Sequence, residues 1–145
     1  MNIDSLPVSD FMTTEIITAT EDETIQRICK TMSEHHIGSI VIVKRTISGN
    51  KPIGIITERD IVDQIGLSDV FLVEKPIREV MNYPLITTGP TNSVREAIET
   101  MNLKNIRRLL VVDDDDKIVG ILTEKDLFKA ISNPESQKSS DQSQV

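Results

Sequence analysis

The stretch GIITERD, Gly54 to Asp60, is written again as GILTEKD, Gly120 to Asp126, with only Ile changed to Leu and Arg to Lys. An apolar core asks only for apolar residues of about the right size. It does not ask for Thr and Asp in the same places twice. The phrase therefore marks either a folding unit used twice or a chemical site used twice. Working outward, an offset of 69 aligns Met12 with Met81, Ile17-Thr18 with Ile86-Thr87, Thr31-Met32 with Thr100-Met101, Ile37 with Ile106 and Val43 with Val112. The offset then falls to 66, between IVIV and GII, where a hairpin loop can change length at little cost. Repeat one runs from Val8 to Ile65 and repeat two from Ile77 to Ile131.

Each repeat predicts the same order of elements. A short extended piece comes first, EIITA or PLITT. A helix follows from about Asp22 to Glu34, with Ile25, Ile28, Cys29 and Met32 on one face. Its partner places Val94, Ala97, Ile98 and Met101 at the same spacing. Thr20, and Thr91 or Asn92, are the expected N-caps. Next come the near-continuous apolar strands SIVIV and RLLVV, a pattern of strands buried on both faces. Turns KRTISGNK and DDDDK lead into second strands, IGIIT and VGILT. A closing helix carries Ile61, Val62 and Ile65, or Leu127, Phe128 and Ile131. The class is α/β (α+β), a tandem β-α-β-β-α repeat. One such unit buries too little surface to be comfortable alone, so two packed together explain the doubling. Residues 1–7 read as an N-terminal extension and 66–76 as a bridge packed on the surface. Residues 132–145, polar and without periodicity, read as a disordered tail.

Bulk properties narrow the function. The chain has 145 residues and a net charge of −7, which argues against a nucleic-acid footprint of clustered Lys and Arg. No apolar run is long enough to span a membrane, and the N-terminus lacks the pattern of a signal peptide. A single cysteine, Cys29, builds no disulfide framework. A cytoplasmic protein is expected.

GIITERD supports two readings. In one, Thr57 caps the helix and Asp60 is the reciprocal acid of a capping box, which needs no ligand. In the other, a helix N-terminus with free N–H groups and a Thr hydroxyl meets a phosphate, while Asp60 takes the hydroxyls of a ribose, as acids do in dinucleotide sites. Ile17, Ile37 and their counterparts then line a slot for the base.

These residues give the chain its resemblance to the CBS-domain pair, or Bateman module. VSDFMT and IREVMN open the repeats, HHIGSIVIV and NIRRLLVVD run through their middles, and the paired G-h-h-T-x-x-D phrases close them. The resemblance implies two halves related by a pseudo-twofold axis, clefts that bind adenine nucleotides, and association into a homodimer. It implies that each cleft takes its Thr and Asp from one half and its wall from the other. One cleft would join Thr123 and Asp126 to Thr13, Ile17, Thr18, Ile37, Gly38 and Ser39. The other would join Thr57 and Asp60 to Asn82, Ile86, Thr87, Ile106, Arg107 and Arg108. Because arginine grips phosphate bidentately, the Asp60 cleft is expected to hold AMP, ADP or ATP more tightly, and the Asp126 cleft to stay empty or prefer a less charged adenosyl ligand.

The expected function is a regulatory adenine-nucleotide sensor, with no obligatory cofactor, acting by conformational change on an unknown regulated protein. An S-adenosylmethionine or other adenosyl-ligand sensor and a ligand-free interaction scaffold are the alternatives. No catalytic constellation is legible, so an enzyme is not expected. An IMP dehydrogenase carries a similar inserted pair, but its barrel alone takes about 250 residues. His35-His36 reads as a helix-end turn rather than a zinc site, Asp113 to Asp116 as a solvated hairpin turn rather than a calcium loop, and Cys29 as packing.

Overall fold

The computed structural model describes residues 3–67, 73–83 and 85–132. The order of elements is β1 (Thr18–Thr20), α1 (Ile25–His35), β2 (Ser39–Thr46), β3 (Gly49–Thr57), α2 (Glu58–Leu67), β4 (Thr87–Thr88), α3 (Val94–Lys104), β5 (Arg108–Val112), β6 (Ile118–Thr123) and α4 (Glu124–Ser132). Single 3-10 turns at Val8–Asp10 and Ile77–Glu79 open the two repeats. The mixed α/β class and the doubled β-α-β-β-α order match the reading of the sequence.

The chain divides into two compact units. The first is residues 16–85, and the second is residues 1–15 together with 86–145. The units therefore do not coincide with the repeats: each repeat's opening segment belongs to the other repeat's unit.

In the first unit the sheet order is β1-β2-β3, with β1 parallel and β3 antiparallel to β2. Its core gathers Ile25, Ile28 and Met32 from α1, Ile40, Ile42 and Ile56 from the sheet, Ile61 from α2 and Ile77 from the returning segment. That segment is tied to the loop before α1, where the Ile77 N–H donates to the Glu23 carbonyl at 2.7 Å and Arg78 N–H to the Glu21 carbonyl at 3.0 Å. The second unit repeats the plan, in the order β4-β5-β6. Its core holds Leu6, Val8 and Phe11 from the N-terminal segment with Val94, Ala97, Met101, Leu109, Val111, Leu122, Leu127 and Ala130. Here the Val8 N–H donates to the Asn92 carbonyl at 2.8 Å and Ser9 N–H to Pro90 at 3.0 Å. Both opening segments are thus used as core and edge material.

Three boundaries differ from the sequence expectation. The N-caps are Thr24 and Ser93, whose side chains accept from the Arg27 and Glu96 N–H groups at 3.1 Å, not Thr20 and Thr91 or Asn92. Thr20 is occupied elsewhere: its N–H donates to Glu23 Oε2 at 2.7 Å. The first helix accordingly begins at Ile25, not Asp22. KRTISGNK is mostly strand, because β2 continues to Thr46 and β3 resumes at Gly49, leaving Ile47 and Ser48 as the turn. Gly49 takes a φ of 124° there, a conformation that suits glycine. The closing helices bury Ile61 and Leu127 but expose the repeat-related pairs Val62/Phe128 and Ile65/Ile131.

The C-terminal part of the bridge pairs with the start of α1: the Ile25 N–H donates to the Lys75 carbonyl and Gln26 N–H to Val73, both at 3.0 Å. Gly66 and Leu67, expected in the bridge, instead end α2, and Ser132, expected in the tail, ends α4; residues 68–72 and the tail from 133 onward lie outside the described residues.

Candidate functional site

Strand β3 ends at Thr57 and α2 begins at Glu58. Thr57 N–H donates to Asp60 Oδ2 at 2.9 Å, and Asp60 N–H donates back to Thr57 Oγ1 at 3.2 Å. The same reciprocal bonds join Thr123 and Asp126, at 3.0 and 3.2 Å. Both phrases are therefore capping boxes. The next N–H groups are used as well, since Glu58 N–H donates to the Gly38 carbonyl and Glu124 N–H to the Arg107 carbonyl, each at 3.1 Å. The free N–H groups that a phosphate would need at these helix starts are, at Thr57, Glu58 and Asp60, already bonded within the protein.

The opening segments complete each constellation. Asn82 pairs with Ile55 across the edge of β3: Asn82 N–H donates to the Ile55 carbonyl at 2.9 Å and Ile55 N–H to the Asn82 carbonyl at 3.2 Å. Its amide Nδ2 then donates to Asp60 Oδ2 at 2.7 Å. Thr13 pairs with Ile121 in the same way, at 2.8 and 2.9 Å, and its hydroxyl lies 3.4 Å from both carboxylate oxygens of Asp126.

The glycine that begins each phrase has a steric cause. A Cβ on Gly54 would lie 2.6 Å from Met81 Sδ and 3.0 Å from the Asn82 carbonyl oxygen. On Gly120 it would lie 2.5 Å from Met12 Sδ and 3.1 Å from the Thr13 carbonyl oxygen. Glycine lets the Met-Thr or Met-Asn backbone cross close to the strand and bring its next side chain to the acid. Recurrence of Gly with Met12 and Met81 was the available sequence signal.

The strand registers show what shares a face with each acid's cap. Ser39 is paired with Thr57, and Val41 lies between Thr18 and Ile55. In the second unit Arg108 is paired with Thr123, and Leu110 lies between Thr87 and Ile121. Arg107 is exposed, whereas Arg108 is half-buried, and its Nε is a buried nitrogen with no hydrogen-bond partner among the described residues. Of the expected site residues, the first unit holds Thr57, Asp60 and Asn82 with Ile17, Thr18, Ile37, Gly38 and Ser39. The second holds Thr123, Asp126 and Thr13 with Ile86, Thr87, Ile106, Arg107 and Arg108. Ile37, Ile86 and Ile106 pack against the cores of their own units.

The other singled-out residues have structural roles here. His36 and its repeat partner Asn105 both take a left-handed φ of 53° at helix C-caps, and His35 Nδ1 lies 3.0 Å from the Thr31 carbonyl oxygen. Asp113 closes the β5–β6 turn, its Oδ1 accepting from Asp115 N–H at 2.9 Å and Lys117 N–H at 3.0 Å. Burial pushes the Cys29 thiol pKa up, which disfavours the nucleophilic thiolate. Among the described residues, no group of three or more His, Cys, Asp or Glu is placed to hold a metal ion, and no helix is long and apolar enough to cross a membrane.

A family model described as CBS domain matches residues 8–66 and again 77–133. The chain belongs to the CBS domain family. A curated relative, the uncharacterized protein MK0525 of Methanopyrus kandleri, is 39% identical over 86% of this chain and 62% of its own length. The CBS domain-containing protein YhcV of Bacillus subtilis is 32% identical over 83% of this chain and 81% of its own. The chain spans 62%, 41% and 46% of the lengths of MK0525 and of two uncharacterized Methanocaldococcus jannaschii proteins, MJ1232 and MJ1225. Relatives named as a homoserine O-acetyltransferase and an inosine-5′-monophosphate dehydrogenase match over 24% of their length. Among solved structures, an uncharacterized conserved protein of Pyrococcus horikoshii superposes with a TM-score of 0.79 at 25% identity, covering 92% of this chain and 96% of that one. The CBS domain pair of protein MJ0100, in complex with 5′-methylthioadenosine and S-adenosyl-L-methionine, superposes with a TM-score of 0.75 at 29% identity, covering 89% and 98%. CBS pairs are regulatory ligand-binding modules.

Proposed function

We propose that this CBS pair is a regulatory sensor of adenine nucleotides, AMP, ADP or ATP, acting through conformational change on a partner protein. The observation that carries the reading is the state of the two acids. Asp60 and Asp126 are half-buried, and each is held by its own cap; Asn82 fixes Asp60 further, while the Thr13 hydroxyl lies 3.4 Å from Asp126. Asp60 Oδ1 still accepts no hydrogen bond among the described residues. A pre-oriented acceptor of this kind suits sugar hydroxyls. Arg107 and Arg108 offer cationic groups for a phosphate, and the equivalent places in the first unit are Gly38 and Ser39. The chain therefore has one arginine-bearing and one neutral set, unequal toward phosphate. The family resemblance assigns the arginines to the ligand of Asp60. A double-mutant cycle of Arg108→Ser with Asp60→Ala and with Asp126→Ala tests that assignment, because coupling in ATP affinity identifies the acid that shares its ligand.

A second reading, a sensor of S-adenosylmethionine or 5′-methylthioadenosine, is favoured by the ligands named for the MJ0100 pair and by the uncharged Gly38-Ser39 set. Thermal unfolding with a panel of AMP, ADP, ATP, S-adenosylmethionine and 5′-methylthioadenosine separates the two. A ligand at 100 times its Kd stabilises by about 2.7 kcal/mol, so the true ligand raises the melting temperature most. A panel that leaves the melting temperature unmoved leaves only the scaffold, in which the phrases are capping boxes and nothing more. Homodimerisation is proposed as well, supported by the repeat-related exposed apolar pairs on α2 and α4. Sedimentation of Val62→Glu and Phe128→Glu tests it, with monomer expected from either charge.

A further inference from the structure

The β2–β3 hairpin is longer than the fold requires. β2 and β3 run for 8 and 9 residues, while their counterparts β5 and β6 run for 5 and 6. β1 accompanies β2 only as far as Val43. Beyond that point residues 44–51 form a two-stranded ribbon, with Lys44 opposite Lys51, Arg45 opposite Asn50 and Thr46 opposite Gly49. All of these residues are exposed, and Ile47 at the tip is fully so. Among the described residues no strand pairs with either outer edge of the ribbon. Its charge is also opposite to that of the chain. The net charge is −7, yet residues 44–52 hold three cations and no acid. Lys44 and Lys51 share a face, and neither has an ion-pair partner among the described residues. Arg45 differs, because its charge adds to the lowering of the Asp22 carboxyl pKa, of which the Thr20 side-chain hydrogen bond is the main cause. Lysines on an open edge repel unwanted strands, but two on one face also select a strand whose side chains on that face are acidic.

We infer that this ribbon is a docking arm for an extended acidic segment of a partner protein, which adds a strand along the outer edge of β2 with acidic side chains on the face of Lys44 and Lys51 and an apolar one against Ile47. Strand addition draws affinity from main-chain hydrogen bonds and specificity from alternate side chains. The edge of β2 suits it better than that of β3, where Pro52 has no N–H to give. A flat anionic surface, whether bilayer or nucleic-acid duplex, would also meet the acidic remainder of the chain and be repelled. A narrow peptide touches the arm alone. The inference goes beyond nucleotide sensing and does not depend on it.

Selection of phage-displayed random peptides on the full chain tests it, followed by fluorescence anisotropy with the enriched peptide. Enriched peptides are expected to carry Asp or Glu at alternate positions. Lys44→Glu with Lys51→Glu is expected to weaken the chosen peptide by about tenfold or more. Lys44→Thr with Lys51→Thr, which keeps strand-forming residues, replaces it if the melting temperature falls. Methylating alternate backbone nitrogens of the peptide should weaken it as well, because those N–H groups join the new ladder. Raising the salt from about 0.1 M to about 1 M shortens the screening length from about 10 Å to about 3 Å and should also loosen the complex. Enrichment of no peptide, enrichment without acidic bias, or an affinity that the lysine variants leave unchanged would overturn the proposal. Lysine-dependent binding of phosphatidylserine vesicles or duplex DNA, with no acidic peptide enriched, would overturn it too and reassign the arm to that surface.

Discussion

The first unit ends its phrase in an acid clamped by Asn82, and the second in an acid that Thr13 barely touches. Around them the contrast widens. Ser39 faces Thr57 where Arg108 faces Thr123. The first unit's hairpin is a long ribbon with Lys44 directly opposite Lys51, while the second closes in the tight turn of Asp113 to Asp116. Cross-strand like charges are unfavourable, so the Lys44/Lys51 pair does not stabilise the first hairpin. What stays constant is the glycine, the crossing backbone and the capping box. The lesson is that the fold depends on the phrase, while its surroundings are free to diverge. Two sets of equal architecture thus carry unequal side chains.

The comparison can be broken most severely in the cores. Ile28 in α1 and Ala97 in α3 are repeat-related, and both are fully buried. Ile28→Ala is expected to cost about 2–5 kcal/mol, read as a fall in the urea midpoint. Ala97→Ile, the reverse exchange, is expected to cost about 1–3 kcal/mol through overpacking. If Ile28→Ala is neutral, the two cores are not built on the same plan.

Arg108→Ser, which gives the second unit the first unit's residue, is expected to weaken ATP by about 1.5–3 kcal/mol and adenosine by much less. An equal loss for both ligands would remove phosphate from the arginine's role.

The glycines come next. Gly54→Ala and Gly120→Ala are each expected to destabilise by about 1–3 kcal/mol. Gly120 is the more sensitive, because a Cβ there would lie 2.8 Å from Met12 Cγ, against 3.0 Å from Met81 Cγ for Gly54. Met12→Ala in the Gly120→Ala background should recover part of the loss in thermal melts. The smallest effects belong to the N-caps: Thr24→Ala and Ser93→Ala should each cost about 0.5–2 kcal/mol. Loss at Thr20 or Thr91 instead would contradict the helix starts seen here.

Much of this was legible from residue order. The doubled phrase, the apolar strands and the helix faces at Ile25/Ile28/Met32 and Val94/Ala97/Met101 fix the repeat because periodicity survives in one dimension. The capping box was legible too, since its spacing is local. The exchange of opening segments was not, because nothing local says that Val8 is buried beside Val94, or Ile77 beside Ile28. Nor was the role of Gly54 and Gly120, which depends on backbone arriving from a distant segment. The N-caps were misplaced because several Thr and Ser candidates stand in a row. Thr20 loses to Thr24 through a contact with Glu23 that spacing alone does not rank.

Calorimetric titration of AMP into the wild-type chain, Asp60→Ala, Asp126→Ala and the double variant tests the central claim most directly, with melting temperatures taken alongside to separate binding from cap loss. The account predicts binding in the wild type, a loss of about tenfold or more from at least one single variant, and none detectable in the folded double variant. A double variant that remains folded and binds AMP as tightly as the wild type would contradict it.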